Sequence, residues 1–166
     1  MAKVAGAVNI PVATGERLTT KAEFAPVLRA GAATILQPAL GRSGGIWETK
    51  KIAAMAEVYN AQIAPHLYAG PVEWAANVQL GASIPNILMA ETIETQFHHN
   101  LIKGSIVVED GYIPVPTGAG LGIDFDEDLA RAHPYTDDGL HLQMQEDPIG
   151  YHGVNSFAGG APVKTE

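Results

Sequence analysis

Four short stretches of the chain are apolar without a polar alternation, and each ends on a residue of different character. Ile10-Pro11-Val12-Ala13-Thr14-Gly15-Glu16 ends on a carboxylate, and Ala33-Thr34-Ile35-Leu36-Gln37-Pro38 on proline. Ala61-Gln62-Ile63-Ala64-Pro65-His66 ends on an imidazole, and Asn86-Ile87-Leu88-Met89-Ala90-Glu91 on a second carboxylate. Continuous apolar runs of this length suit strands buried on both faces.

Between these stretches the period changes to that of a helix. Over residues 45–59, Ile52, Met55, Ala56 and Tyr59 fall on one face, with Glu48 and Lys51 at i, i+3 on the wet side. Thr20-Lys21-Ala22-Glu23 has capping-box spacing ahead of Phe24, Val27 and Leu28, and Gly31 stands where a C′ residue would. Pro26 interrupts this pattern, so a regular helix is expected only from Pro26 onward. A third helix is expected over residues 71–80, burying Val72, Ala75, Ala76 and Leu80, with Trp74 packing inside.

Strand, helix, strand, helix at this rhythm predicts βαβ units, a parallel sheet and an α/β fold. A barrel of ~250 residues in eight units allots ~31 to each, which fits the spacing here. A doubly wound sheet has the same grammar. Glu16, His66 and Glu91 favour the barrel, because all three stand at the C-terminal ends of strands, where barrels keep their chemistry. After Ile102 the grammar changes: residues 105–108 and 112–115 flank Glu109-Asp110-Gly111 as a hairpin. From Thr117 the chain is Gly-rich, then acidic, then irregular, and is expected to lie over a surface. The chain thus divides into residues 1–104 and 105–166.

Composition narrows the function classes. The formal net charge of −8 argues against nucleic acid and mildly against anionic membranes. With no Cys, disulfides, thiolate metal sites and a Cys nucleophile are excluded. No apolar stretch approaches the ~20 residues of a membrane span, and the first residues make no convincing secretion signal, so a cytoplasmic protein is expected.

The candidate chemistry is sparse. Glu16, after a strand, is a hard oxygen donor of the kind Mg²⁺ takes, or a solvated residue opening a loop. His66 suits general acid–base work near neutral pH, or is a structural histidine. Glu91 could hydrogen-bond a developing enolate in its protonated form, or face solvent. Gly118-Ala119-Gly120-Leu121-Gly122 lacks nucleotide-loop spacing, and residues 124–128 lack the EF-hand pattern. His98 and His99, being adjacent, point different ways on a helix and make a poor metal pair.

Taken in order, these segments resemble the mandelate racemase branch of the enolase superfamily, and within it the galactonate-dehydratase-type sugar-acid dehydratases. The residues that carry the resemblance are Pro11 to Arg17, Ile35-Leu36-Gln37-Pro38, Gly44-Gly45-Ile46, Lys51-Ile52-Ala53, Ala64-Pro65-His66, and Gly111-Tyr112-Ile113 through Gly120-Leu121-Gly122-Ile123. The resemblance implies the C-terminal half, strands 5–8 with their helices, of a (β/α)₈ barrel. It implies Glu16 as a Mg²⁺ ligand, His66 as a catalytic residue and Glu91 as the partner of an enolate. The implied reaction removes the proton α to a carboxylate and then loses a β-hydroxyl, with a sugar acid as substrate.

Two departures bear on these expectations. The family's sixth strand carries Asp after Gln-Pro, where this chain has Ala39, so His66 is expected to lose the carboxylate that orients it. That substitution also counts against a racemase or cycloisomerase. The family's first four strands and its capping domain lie outside the resemblance, and with them two further metal ligands. The chain is therefore expected to belong to a larger enzyme and to be inactive alone. Alternatively it is a non-catalytic half-barrel assembly module. In either case a homo-oligomer or a complementary N-terminal chain is expected, because a half-barrel leaves two open sheet edges.

Overall fold

The computed structural model describes residues 1–134, and the rest of the irregular tail expected from Thr117 onward lies outside them. A one-turn helix α1 (Ala2–Ala5), which the hydropathy pattern did not foretell, precedes β1 (Ala13–Thr14), α2 (Lys21–Arg29), β2 (Ile35–Leu36), α3 (Gly45–Val58), β3 (Gln62–Ile63), α4 (Pro71–Ala82), α5 (Gln96–Leu101) and α6 (Glu127–Ala132). The fold is α/β around a small parallel sheet of order β1-β2-β3, with Ala13 opposite Ile35 and Leu36 opposite Ile63. The fourth apolar stretch joins β3 by a single parallel bridge, Ile63 to Ile87. There the Ile63 amide donates to Asn86 O at 2.9 Å, and the Leu88 amide to Ile63 O at 2.8 Å.

The strands are not buried on both faces. Ala61, Ile63 and Leu36 are buried, whereas Ala13 and Gln62 are exposed and Ile35 is half-buried. The reason is that α2, α3 and α4 pack side by side as one layer. Alternate strand residues meet that layer, and no described residue covers the others. The main core joins Phe24, Leu28, Leu36, Ile52, Ala56 and Ile63 with Leu80 and Ile84.

Local chemistry explains the helix ends. Glu23 Oε2 accepts from the Thr19 amide at 2.7 Å and the Thr20 amide at 3.0 Å, satisfying donors that the first turn of α2 leaves open. The Thr19 hydroxyl and these amides hold the Glu23 carboxyl below its ordinary range. Contrary to the expectation at Pro26, α2 runs through it from Lys21; the missing proline N–H orphans only the carbonyl of exposed Ala22. Two bonds close the helix, Ala32 N–H to Val27 O and Gly31 N–H to Leu28 O, each 3.0 Å. On α3, Glu48 meets Lys51 at 3.1 Å as its spacing predicts, and also Lys21 at 2.6 Å. Lys21 and then Lys51 hold its carboxyl below the usual range.

Tyr59 and Val72 depart from expectation. Tyr59 caps α3 and is 45% exposed. Val72 is 44% exposed because α4 lies between two cores. Its Leu80 and Ala76 face the main core. Trp74, Ala75 and Val78 face a second one with Leu67, Ile102 and Ile106. Val72 sits on the side left over. Trp74 is buried, as expected.

The expected hairpin is reduced to its turn. Glu109 and Tyr112 exchange both backbone hydrogen bonds at 2.8 Å around Asp110 (φ 51°) and Gly111 (φ 80°), the left-handed pair that a tight hairpin turn requires. No ladder extends along the flanks. Instead Ile106 is buried in the second core, with Ile113 packed against it, so core contacts take the place of strand pairing. No helix of the described residues is long and apolar enough to cross a membrane.

Candidate active site

Parallel strands in register bring the residues that follow them to one end of the sheet. Glu16 comes two positions after β1, His66 three after β3, and Glu91 follows the bridge at Ile87. The backbone pairing continues toward His66: its amide donates to Pro38 O at 3.1 Å, and Ala39 bridges His66 in parallel.

The three residues singled out from sequence converge there. His66 Nδ1 lies 2.7 Å from Glu91 Oε2 and 3.7 Å from Glu16 Oε2. Glu91 Oε2 also accepts the Leu67 amide at 2.7 Å. His66 is 21% exposed along its side chain, against 53% for Glu16 and 46% for Glu91. The site is thus a half-buried imidazole whose Nδ1 edge faces two more exposed carboxylates. The contact between His66 Nδ1 and Glu91 Oε2 pairs an imidazole with a carboxylate. Nε2 is left without a partner among the described residues, free to give or take a proton.

This arrangement corrects one expectation. Ala39 removes a carboxylate from the sixth-strand position, yet His66 still has one at hydrogen-bond distance, supplied by Glu91. A carboxylate at that distance limits the orientations open to the ring.

The turn at Gly15 places Glu16. Its φ of +133° is one that side-chain-bearing residues avoid, and a Cβ there would lie 2.6 Å from Phe24 Cε1 and 3.1 Å from the Gln37 amide nitrogen. That amide is already committed to Thr14 O at 2.8 Å, so it cannot retreat without loosening β1 from β2. Gly15→Ala is expected to lower stability by about 1–3 kcal/mol. Urea denaturation measures it; an unchanged midpoint would refute this account of the turn.

Sequence reasoning missed the buried polar groups that bond to the backbone of Ala39 and His66. Ser43, fully buried, has its hydroxyl 2.9 Å from Ala39 O and 2.9 Å from the Thr49 hydroxyl. Asn77, on the buried side of α4, reaches His66 O at 3.5 Å. For Asn77 the available signal was a polar residue within the apolar face of α4. His98 and His99 lie on α5 and bond to the loop residues Ile93 and Glu94. The Gly-rich stretch holds no nucleotide-loop geometry; its Leu121 O and the nearby Pro116 O accept from Gln79.

As metal donors, these residues are too few. Mg²⁺ takes a near-octahedral set of oxygens, and among the described residues no group of three His, Cys, Asp or Glu could hold an ion. Glu16 alone does not fit the requirement.

Known proteins resemble the chain closely. The model of the family described as "Enolase C-terminal domain-like" matches residues 1–129. D-galactonate dehydratase of Ralstonia pickettii is 39% identical over 77% of this chain and 36% of its own length. A mandelate racemase/muconate lactonizing enzyme from Sulfitobacter sp. is 80% identical with a TM-score of 0.81, covering 89% of this chain and 37% of the solved one. A like protein from Roseovarius sp. TM1035 is 78% identical with a TM-score of 0.82, covering 87% and 37%. The chain therefore spans little more than a third of the length of the relatives it matches.

Proposed function

Because the chain belongs to the enolase C-terminal domain-like family, we propose that it supplies the acid side of a sugar-acid dehydratase site, within a larger cytoplasmic enzyme. The observation that carries this reading is the convergence of Glu16, His66 and Glu91 around one ring nitrogen at the C-terminal end of a parallel sheet. Likeness to D-galactonate dehydratase supports a sugar acid as the substrate class. The sheet is then part of the second half of a (β/α)₈ barrel formed by residues 1–104.

Dehydration takes a proton from the carbon α to the carboxylate and expels hydroxide from the β carbon. Hydroxide is a poor leaving group and departs as water if a proton reaches it as the C–O bond breaks. His66, as imidazolium, gives its Nε2 proton to that oxygen and becomes neutral. Nδ1–H stays on Glu91 throughout, which keeps the ring aimed. Glu91 Oε2 lies against His66 and accepts the Leu67 amide, leaving Oε1, when it carries a proton, to donate a hydrogen bond to the enolate. The base for the α-proton lies outside this set of residues.

Mg²⁺ is the cofactor this reading implies, with Glu16 as one ligand and the others outside the described residues. A homo-oligomer or a complementary N-terminal chain would bring them, closing over the uncovered sheet face and its open edges. A second reading, a non-catalytic half-barrel module, is favoured by the sparse donor set, since among the described residues no group of three His, Cys, Asp or Glu could hold an ion.

The test begins with native mass spectrometry of the chain as recovered from its own cells. The recovered assembly is then incubated with Mg²⁺ and a panel of aldonic and aldaric acids. Loss of one water from at least one acid is the expected result. No loss from any of them would overturn the enzyme reading and leave the assembly module. Exchange of the α-proton without loss of water would point to a racemase.

A further inference from the structure

We infer that His99, through Glu94, is a positioning residue for Glu91 and hence for the His66 ring; this rests on the reading of His66 and Glu91 given above. Glu91 heads a stretch, residues 91–95, with no regular secondary structure. A carboxylate on a free loop would sample many positions, because each unrestrained residue keeps its backbone entropy. This stretch is not free. The His98 amide donates to Thr95 Oγ at 3.1 Å, His98 Nδ1 lies 3.1 Å from Ile93 O, and His99 Nε2 lies 3.1 Å from Glu94 Oε2.

The third tie differs from the other contacts near the site. The side chains of His99 and Glu94 are 16% and 14% exposed, whereas Glu91 keeps 46% of its surface. A carboxylate–imidazole contact largely withdrawn from water is stronger than one in bulk solvent. His99 is itself anchored, its ring set edge-on to Trp74 at 5.8 Å and 76°, and Trp74 belongs to the second core. A line of contact thus runs from the core through Trp74, His99 and Glu94 to the loop. Three residues upstream of Glu94, Glu91 accepts the Leu67 amide and lies 2.7 Å from His66 Nδ1. The two adjacent histidines, unsuited to share a metal, fasten successive residues of one loop because they point different ways.

The Leu67 amide reports this arrangement directly, since its acceptor is Glu91. Hydrogen exchange by NMR on the full chain is expected to show it protected in the wild type. Glu94→Ala should speed its exchange about tenfold or more and shift the His66 Hε1 resonance. The amide of Ala53, buried in α3, should keep its rate. Glu94→Gln retains an acceptor for His99 and should restore both readouts, as should His99→Gln, which retains a donor for Glu94. A protected Leu67 amide left unchanged by Glu94→Ala overturns the inference and spares the site reading. A Leu67 amide already unprotected in the wild type overturns both. If Ala53 exchange rises in step with Leu67, or Glu94→Gln fails to restore protection, Glu94 acts on the whole fold and the positioning role falls.

Discussion

Replacing His66 with Asn in the recovered assembly is expected to slow sugar-acid dehydration by roughly 10²–10⁴-fold, the ordinary worth of a general acid. The loss should fall on kcat, because proton donation to the leaving oxygen matters only as the C–O bond breaks. Asn can still place an amide N–H toward Glu91, near where His66 Nδ1 now sits at 2.7 Å. The loop carrying Glu91 should therefore stay where it is, and the melting temperature should change little. What Asn lacks is any titrating group in place of Nε2. A substrate whose β-hydroxyl is replaced by fluoride, which leaves without a proton, should recover much of the lost rate. Activity within a few-fold of the wild type on the hydroxyl substrate would remove His66 from the acid role. An equal loss on the fluoride substrate would give it a different one.

Trp74→Ala is expected to cost about 3–5 kcal/mol of stability, the usual range for deleting a large buried aromatic. Trp74 is 1% exposed and fills the second core with Leu67, Val78, Ile102 and Ile106. Few of these neighbours can move into the space, because Leu67 is tied through its amide to Glu91 and Val78 lies within α4. Trp74→Phe should cost much less. It keeps a ring beside His99 and removes the indole N–H, a buried donor with no partner among the described residues, so part of the lost contact area is offset. Denaturant titration of both variants measures the difference. Equal losses would mean that the indole nitrogen is bonded after all; a Trp74→Ala loss below about 1 kcal/mol would mean that the second core is not packed around this residue.

Much of the local architecture was legible because it depends on near neighbours. Residues 45–59 showed a helical period and form α3 to within a residue, since i, i+3 and i+4 spacing is set by helix geometry alone. Glu23, three residues after Thr20, marked the start of α2 for the same kind of reason. The apolar stretches ending in Glu16 and His66 marked strands, whereas the one ending in Glu91 forms only a single bridge at Ile87. Periodicity was weaker on what each face meets. It predicted strands covered on both sides, whereas Gln62 and Ala13 are exposed. It put Val72 inside, whereas α4 lies between two cores and turns that residue outward. The expected hairpin kept its Asp110-Gly111 turn but not its ladder, because burying Ile106 in the second core competes with pairing.

The sequence by itself determined the family, the alternation of strands and helices, and which side chains stand at strand ends. The family follows from a resemblance in residues and their order, and the alternation follows from spacing along the chain. Only the tertiary structure decided that Glu91, twenty-five residues beyond His66, supplies the carboxylate that Ala39 does not. Strand register and the path of residues 91–95 set that distance, and neither leaves a periodic trace. The same holds for Ser43 beneath Ala39 and for His99 against Trp74 and Glu94. A hydrogen bond requires its atoms within a few tenths of an ångström, and such placement arises only when separate elements pack.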